Sequence, residues 1–475
     1  MPSARGKYAG KSTNPKGKSA MHGMSRSVGE RLDRLPPSRF HRRMLFLIGS
    51  GMFFDGFDIY LAGGVLGALV HTGVSTVDGN ALFLSATFAG MTIGAWFSGV
   101  LGDRFGRRFS YQFNLAIFAL ASLCAALAPS IGWLIVFRFV MGLGLGAEIV
   151  VGYGTMAEFM PPRLRGRYAA LLNLFTNSAL LVSTFGGLII IPYLGWRWMF
   201  ALAAVGAGFI WFLRKTMPES PRWLESKGRY AEAEEILRRI EQDALGPAHE
   251  PLPEFPAPAA PPAQAPVLPL SRLFQGGMLS RTVTGMCINV VNNLITHGFI
   301  TWMPTFFIAH GLTVTRSLSF TAVMTLGAPC GSLLGYAVSE SLGRRQGTVI
   351  FSFLALVLGL IYPFALAPYL VMTIGFFLVA SIFVLGALSI GGYVPELFPT
   401  EIRLRGVGLC STTGRLANVG IPFLIALLYA HGGVTAVLGL ISLGLLVQGL
   451  VVMILGVETK GAALEAVTSG LGRDG

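Results

Sequence analysis

Apolar runs of about 20 residues recur along the whole chain and are separated by short polar loops. A run of that length with few or no charges can cross the hydrocarbon core of a bilayer as one helix. The pattern predicts an all-α membrane protein with twelve transmembrane helices. The predicted spans are residues 43–70, 78–100, 110–128, 131–157, 168–192 and 195–213, then 282–309, 317–338, 347–366, 369–394, 406–430 and 434–456.

Two polar motifs between these runs occur twice. The sequence GDRFGRR at 102–108 returns as SLGRR at 341–345, and EFMP at 158–161 returns as ELFP at 396–399. The offset is 237 residues from Arg108 to its equivalent and 238 residues for the glutamate of the second motif. A parallel duplication of this length in an apolar chain predicts two pseudo-symmetric six-helix bundles around one central site.

Composition and charge agree with a membrane protein. Hydrophobic residues make up 53% of the chain and charged residues 12%, whereas soluble domains carry about 25% charged residues. The net charge of +13 comes mostly from Lys and Arg in the N-terminal region and in alternate loops. Under the positive-inside rule this distribution places both termini in the cytoplasm, so it indicates topology and excludes a nucleic-acid-binding function.

The composition also divides the chain. Residues 247–269 carry nine prolines among alanines, which is typical of an extended, unpacked linker. The expected organisation is a basic cytoplasmic tail (1–42), an N-terminal six-helix bundle (43–214), a cytoplasmic central loop with the Pro/Ala-rich linker (215–278), a C-terminal six-helix bundle (279–457) and a cytoplasmic C-terminal tail (458–475).

Acidic residues inside the first half are candidates for proton coupling. Asp55 and Asp58 lie three positions apart near the middle of the first span, so they share one helix face. An ionised group at that depth costs roughly 2.5–3.5 kcal/mol and needs a cavity or a partner. The best partner is Arg138, the only arginine inside the first-half spans that lies away from their ends. The alternative is a static salt bridge. Glu148 is a second protonation site, a partner for a basic residue, or a structural hydrogen-bonding group.

Polar residues in other spans are candidates for substrate binding. A lone arginine, Arg415, suits a substrate carboxylate because its planar fork matches that group, although it could instead snorkel to the headgroups. Amide and ring side chains in two further spans are the other candidates for substrate binding. The alternative is that they join helices to one another, as such groups also do in membrane proteins. No cysteine, histidine or carboxylate cluster accompanies them, so no metal site is predicted. The other candidates are Asn173, Asn177, Asn292, Asn293, His297 and Trp302.

Taken together, these motifs resemble the major facilitator superfamily, in its branch of sugar porters and related metabolite:proton symporters. The resemblance covers about residues 42–465. It rests on 102–108, on Arg138 with the glycines of 142–146, and on the sequences PESPRWL, PELFPT and ETKG. The Gln-Gln and Asn-rich signature of sugar porters is absent from the seventh span. The sequences DGFD and TWMPT are instead similar to aromatic-acid and nicotinate-type proton symporters.

The resemblance implies roles for several residues. The acid that matches Asp58 is the proton carrier and pairs with the arginine that matches Arg138. Asp103 belongs to a charged lock at the inner gate, which Glu158 with Arg165 and Glu396 with Arg405 are expected to extend. The alternative is that the basic residues only set topology. The remaining predicted gating residues are Gly102, Arg104, Gly106, Arg107, Arg108, Glu219, Arg222 and Arg345.

The sequence therefore predicts a secondary active transporter in a bacterial inner membrane. It is expected to import a small polar metabolite, with an organic acid as the favoured class, by proton symport. Alternatives are a sugar or polyol:proton symporter, a passive facilitator, or a non-transporting membrane sensor. No nucleophile, metal set or phosphate loop points to an enzyme. We expect a monomer whose partners are its substrate, protons and the lipid bilayer, with a proton gradient and no cofactor.

Overall fold

A computed structural model describes residues 28–245, 270–365, 367–399 and 402–458 of the chain. Within these ranges the regular structure is helical and contains no strand. Six long helices form the first half: α1 (Arg39–His71), α2 (Val77–Phe105), α3 (Arg107–Ala126), α4 (Ile131–Phe159), α5 (Pro162–Leu194) and α6 (Arg197–Arg214).

The second half repeats the pattern with more irregular helices. The first of them, α7, has three parts joined end to end, and α11 and α12 form one run that breaks at Gly433, where φ is 62°. The bounds are α7 (Gly276–Ile295, a π-helical turn Thr296–Ile300, and Met303–Ala309), α8 (Val314–Thr325 and Gly327–Ser341), α9 (Arg344–Ile361), α10 (Pro368–Leu388, then a π-helical turn Ser389–Tyr393), and α11 with α12 (Arg403–Leu455).

These helices account for twelve membrane crossings. Ten helical stretches of the described chain are long and apolar enough to span a bilayer. The break at Gly433 divides the last of them into two. The interrupted helix α7 adds the twelfth, because its π-helical turn separates two shorter segments. The prediction of twelve transmembrane helices is confirmed.

Helix packing shows the internal symmetry directly. In the first half α1 packs on α5, α2 on α4 and α3 on α6, and in the second half α7 packs on α11, α8 on α10 and α9 on α12. Equivalent contacts in the two halves are both formed at a glycine. A Cβ on Gly146 of α4 would lie 1.9 Å from the Met91 carbonyl of α2, and one on Gly331 of α8 would lie 2.1 Å from the Ala380 carbonyl of α10. Glycine is required at both because it lets the backbones touch.

The basic loops lie at one end of the helices, here called the basic side, and the other end is called the opposite side. The two halves are in contact near the opposite side. A Cβ on Gly63 of α1 would lie 3.1 Å from the Thr301 carbonyl of α7, and one on Gly67 would lie 2.8 Å from Ile308. Between the halves remains a cavity of about 20 Å³, room for about one water molecule. The molecule is therefore closed at the opposite side.

Three short helices cover the basic side of the first half: Val28–Asp33, Pro221–Ser226 and Tyr230–Leu245. They share a hydrophobic cluster with the basic ends of α1 and α4. Arg31 binds Glu234 at 2.6 Å and Glu241 at 2.7 Å, so the segment before α1 is tied to the central loop. The other residues of the expected basic tail, 1–27, and the proline-rich linker, 247–269, lie outside the described ranges.

Candidate functional site: buried charge in the first half

The centre of the first half contains the ion pair that the sequence suggested. Arg138 Nη1 donates a hydrogen bond of 2.6 Å to Asp58 Oδ2, and both side chains are at most 1% exposed. Arg138 Nε donates to the Thr87 hydroxyl at 3.1 Å. The guanidinium also lies over the rings of Phe83 and Phe200, at 4.7 and 5.9 Å from their centroids. Arg138 is thus held by partners on three helices besides its own.

This arrangement is chemically asymmetric. Asp58 Oδ1 is buried and has no hydrogen-bond partner, so one carboxylate oxygen is free to accept a proton. A buried ion pair is stable only while both charges remain, because removal of one partner leaves an uncompensated charge. Protonation of Asp58 removes its attraction for Arg138, whereas the hydroxyl and ring contacts of the arginine remain. The pair can therefore exist in two charge states within the same packing.

A second buried ion pair lies closer to the basic side and joins α4 to α6. Arg214 Nη1 donates to Glu148 Oε1, and both side chains are at most 2% exposed. Arg214 also donates to the carbonyls of Leu47 and Ile48 on α1, at 2.8 and 2.9 Å. Its guanidinium lies 4.7 Å from the ring centroid of Tyr111. The expectation of a single arginine inside the first half was wrong, since Arg214 is as buried as Arg138.

A glycine on α1 makes room for this second pair. A Cβ on Gly51 would lie 1.9 Å from Arg214 Nη2 and 2.7 Å from Glu148 Oε1. Asp55 is one turn further along the same helix face. It is 1% exposed, and its Oδ2 has no hydrogen-bond partner. On this face Asp55 lies between Gly51, which adjoins the second ion pair, and Asp58 of the first, so it lies between the two ion pairs.

Candidate gate on the basic side

Arg107, the first residue of α3, is the centre of a charged network at the basic side. It donates to the Gly102 carbonyl at 2.7 Å, to Asp103 at 2.9 Å and to Glu158 at 2.7 Å. The Asp103 side chain is 77% exposed and that of Glu158 is 21% exposed. Because exposed ion pairs are weak, the contact with Glu158, which joins α3 to α4, is stronger than the contact with Asp103, which joins α3 to α2.

Glu219 of the central loop caps the start of α3. Its carboxylate accepts hydrogen bonds from the backbone N–H groups of Arg107 at 2.8 Å and Arg108 at 3.2 Å. Anions are stabilised at a helix N-terminus. Burial raises the pKa of Glu219, and these N–H groups oppose that effect. Gly106 precedes the helix with φ of 98°, and a Cβ there would lie 2.3 Å from Glu219 Oε2.

The predicted pairing of Glu158 with Arg165 was wrong. Glu158 binds Arg107, while Arg165 contacts Asp33 at 3.3 Å. Helix α4 ends at Phe159 and α5 begins at Pro162, so the chain turns between the two residues. Arg222 completes the network, because it donates to the Glu158 carbonyl at 2.8 Å and to Asp33 at 2.5 Å.

The other basic residues of this region contact backbone or rings. Arg104 lies 5.5 Å from the ring centroid of Phe105, and Arg108 donates to the Lys215 carbonyl at 2.8 Å. In the second half, Arg345 donates to the Met453 carbonyl at 2.6 Å. Glu396 forms an ion pair with Arg344 at 3.3 Å, and Arg405, its expected partner, is exposed.

Candidate substrate-binding residues and relatives

The predicted amides of α7 join helices within the second half. Asn292 donates to the Ser389 hydroxyl of α10 at 3.2 Å. Asn293 accepts from the amide of Asn418 on α11 at 2.7 Å. A Cβ on Gly414 would lie 2.7 Å from the Asn293 amide nitrogen, so the two helices are in close contact here. The packing role of these amides is therefore visible.

His297 and Trp302 lie at the interface of the halves. His297 is in the π-helical turn of α7, and its ring centroid is 4.7 Å from that of Phe88 on α2. The ring of Trp302 is fully buried and stacks on Phe306. His297 Nδ1 and Trp302 Nε1 are both buried with no hydrogen-bond partner. Each is therefore a donor or acceptor left unused in this conformation.

Asn173, Asn177 and Arg415 are the more accessible candidates. On α5 the spacing of Asn173 and Asn177 continues to Leu180 and Thr184, which line the cavity between the halves. Asn173 is exposed and Asn177 is half-buried, so this stripe opens toward the basic side. Arg415 is half-buried near the middle of α11 and has no hydrogen bond or ion pair within the described part of the chain.

The twelve helices form two equivalent bundles, one with buried charged side chains and the other with buried amides. This architecture defines a membrane transporter built from repeated halves. A family model described as "Sugar (and other) transporter" matches residues 44–471. The chain belongs to this family, a branch of the major facilitator superfamily.

Relatives with similar sequences are named as transporters. The inner membrane metabolite transport protein YdjE of Escherichia coli K12 is 36% identical over 447 residues, which are 93% of this chain and 98% of that protein. The niacin transporter NiaP of Acinetobacter baylyi is 31% identical over 439 residues, which are 92% and 98% of the two chains. The family and these relatives are transporters rather than enzymes.

Solved structures share the fold. The xylose transporter XylE of E. coli, in a partially occluded inward-open conformation, superposes with a TM-score of 0.71 and covers 90% of this chain and 100% of that chain. The sequences are 18% identical, so the similarity concerns the fold alone.

Proposed function

We propose that the chain is a secondary active transporter that imports a small polar metabolite by proton symport, with Asp58 and Arg138 as the coupling pair. The observation that carries this proposal is the ion pair between them, fully buried at the centre of the first half. The arabinose-proton symporter of Bacillus subtilis, 25% identical over 436 residues, supports the choice of symport.

The coupling step follows from the charges. A proton reaches Asp58 from the side to which the cavity is open, binds a carboxylate oxygen and breaks the attraction to Arg138. The neutral acid is less costly to enclose than a carboxylate without its partner. Substrate binding to the same state permits the two halves to rock about the central site. Release of the proton on the other side restores the ion pair and resets the carrier.

The membrane orientation belongs to the same proposal. The basic side faces the cytoplasm, as the positive-inside rule requires, and the membrane is the bacterial inner membrane, by similarity to YdjE. The structure is closed at the opposite side by contacts of Gly63 and Gly67 with α7. With the basic side in the cytoplasm, a molecule closed at the opposite side corresponds to a cytoplasm-facing state. The contacts of Arg107 and Glu219 hold α3, α4 and the central loop together on the cytoplasmic side of the first half.

We further propose an organic acid as the substrate. Arg415 is a half-buried guanidinium without a partner among the described residues, and a carboxylate is the group that such a fork binds best. Asn173 and Asn177 on α5 supply hydrogen-bonding groups along the cavity stripe. NiaP, a niacin transporter, supports this choice. A sugar or polyol is the second candidate, supported by the arabinose-proton symporter and by the amides of α7.

Two measurements on the purified protein test the proposal. A thermal-shift screen with nicotinate, benzoate, xylose and arabinose should show stabilisation by the carboxylates, and Arg415→Gln should abolish it. Stabilisation by the sugars alone, unchanged in Arg415→Gln, would assign a sugar substrate instead. In proteoliposomes the stabilising compound should make the external medium more alkaline as it enters. Uptake without alkalinisation would identify a passive facilitator.

A further inference from the structure

The buried charges of the first half do not balance. Three carboxylates, Asp55, Asp58 and Glu148, share the interior with two guanidinium groups, Arg138 and Arg214, and each side chain is at most 2% exposed. Among the described residues, the titratable side chain of Tyr111 on α3 also faces this region. If all three acids were ionised, the region would carry one uncompensated negative charge. An uncompensated charge in a membrane interior is costly.

These carboxylates also have more acceptor oxygens than there are donors to bind them. Asp55 Oδ2, Asp58 Oδ1 and Glu148 Oε2 are all buried and have no hydrogen-bond partner. Buried polar atoms without partners are rare in native proteins. A single proton on one carboxyl group supplies a donor for a neighbouring oxygen and also cancels the excess charge.

We propose that Asp55 is a second proton-binding site, occupied in this conformation, and that it passes its proton between Asp58 and Glu148. Asp55 is the acid without an arginine bound to it, and it lies on the α1 face between the two ion pairs. In the transfer one O–H bond breaks at Asp55 and one forms at the neighbouring carboxylate, so no other group is consumed. The use of this site in transport rests on the proposed proton symport, whereas its occupancy does not.

Arg214 is the positioning residue for this site. Its guanidinium donates to Glu148 and to the carbonyls of Leu47 and Ile48, through the space left by Gly51. Two of these hydrogen bonds hold the guanidinium on α1, and the third binds Glu148 of α4. Glu148 is thereby kept beside the face that carries Asp55. Arg214 also sets the charge balance, because it offsets one carboxylate and not two.

Infrared spectroscopy of the reconstituted full-length protein tests the proposal without a known substrate. A protonated carboxyl group has a C=O stretch distinct from that of a carboxylate. The wild type should show this band from a buried group at neutral pH, and Asp55→Asn should lose it. Asp78→Asn, which removes an exposed carboxylate at the start of α2, is the control and should leave the band unchanged.

Two further variants test whether the band depends on the charge balance of the region and not only on the presence of Asp55. Glu148→Gln leaves two acids and two arginines, so the band should disappear although Asp55 is intact. Arg214→Gln leaves three acids and one arginine, so the band should roughly double. A wild type without the band, or a band that persists in Asp55→Asn, would overturn the proposal. Because no transport is measured, failure of symport in proteoliposomes would not alter these results, and failure here would not exclude coupling through Asp58.

Discussion

The two halves of this transporter share a scaffold but differ in chemistry. Both pack their helices in the same pairs and use glycine at equivalent backbone contacts, as at Gly146 and Gly331. The first half, however, buries five charged side chains, whereas the spans predicted in the second half contain no aspartate or glutamate. Its polar interior consists mainly of amides such as Asn292 and Asn418, with Arg281 buried and Arg415 half-buried as cations.

We propose that this difference divides two tasks between the halves of one symmetric fold. Proton coupling requires groups whose charge changes. The predicted spans of the second half contain no carboxylate that could serve in this way. Neutral amides and the guanidinium of Arg415 bind a solute without competing for protons near neutral pH. We therefore assign coupling to the first half and much of the substrate recognition to the second. The following changes should separate these assignments.

The largest effect should come from breaking the central ion pair. Arg138→Leu leaves Asp58 buried without its partner and should lower the free energy of unfolding by about 3–5 kcal/mol. The double variant Asp58→Asn with Arg138→Leu should recover a large part of the loss, because no charge is then left alone. Thermal denaturation in detergent measures both. Equal stability of the single and double variants would show that the pair is not buried as described.

A smaller effect is expected from Gly51→Ala. The added methyl would collide with Arg214 and Glu148, and overpacking of this kind costs about 1–3 kcal/mol. The matched control is Gly208→Ala in α6, where a Cβ meets nothing within 4 Å. We expect a clear loss of thermal stability in the first variant only. Similar melting temperatures for the two variants would contradict the placement of the second ion pair.

The smallest effect should be found in the second half. Asn418→Ala removes the hydrogen bond to Asn293, and such bonds between membrane helices contribute about 0.6 kcal/mol. Stability should fall by about that amount, and the apparent affinity for the substrate should change with it. The number of protons moved per substrate, measured in proteoliposomes, should stay the same. A change in that ratio would place part of the coupling in the second half.

Much of this organisation could be predicted from the sequence. Apolar runs located the helices because length and hydropathy suffice for a membrane span. The pairing of Asp58 with Arg138 could be inferred because acids at that depth need a partner. Arg214 was missed because it follows the apolar run and precedes Lys215, so it resembles an ordinary flanking basic residue. Only the three-dimensional fold shows that it points inward.

The gate was less predictable for a related reason. Glu158 and Arg165 are close in sequence, but the chain turns between α4 and α5 and directs Arg165 to Asp33. Arg107, which is 51 positions from Glu158, becomes its partner. Proximity along the chain is a poor guide to ion pairs when a helix ends between the two residues. In α7, Pro304 marks the start of the last helical segment, whereas the π-helical turn before it has no such marker.

Substrate uptake by Asp58→Asn in proteoliposomes with an imposed proton gradient decides whether the buried ion pair couples transport to protons. The asparagine keeps the shape of the side chain but cannot carry the proton. We predict that the variant no longer accumulates its substrate against a concentration gradient, while exchange of external for internal substrate continues. Accumulation by Asp58→Asn at the wild-type level would contradict the assignment of proton coupling to the buried pair.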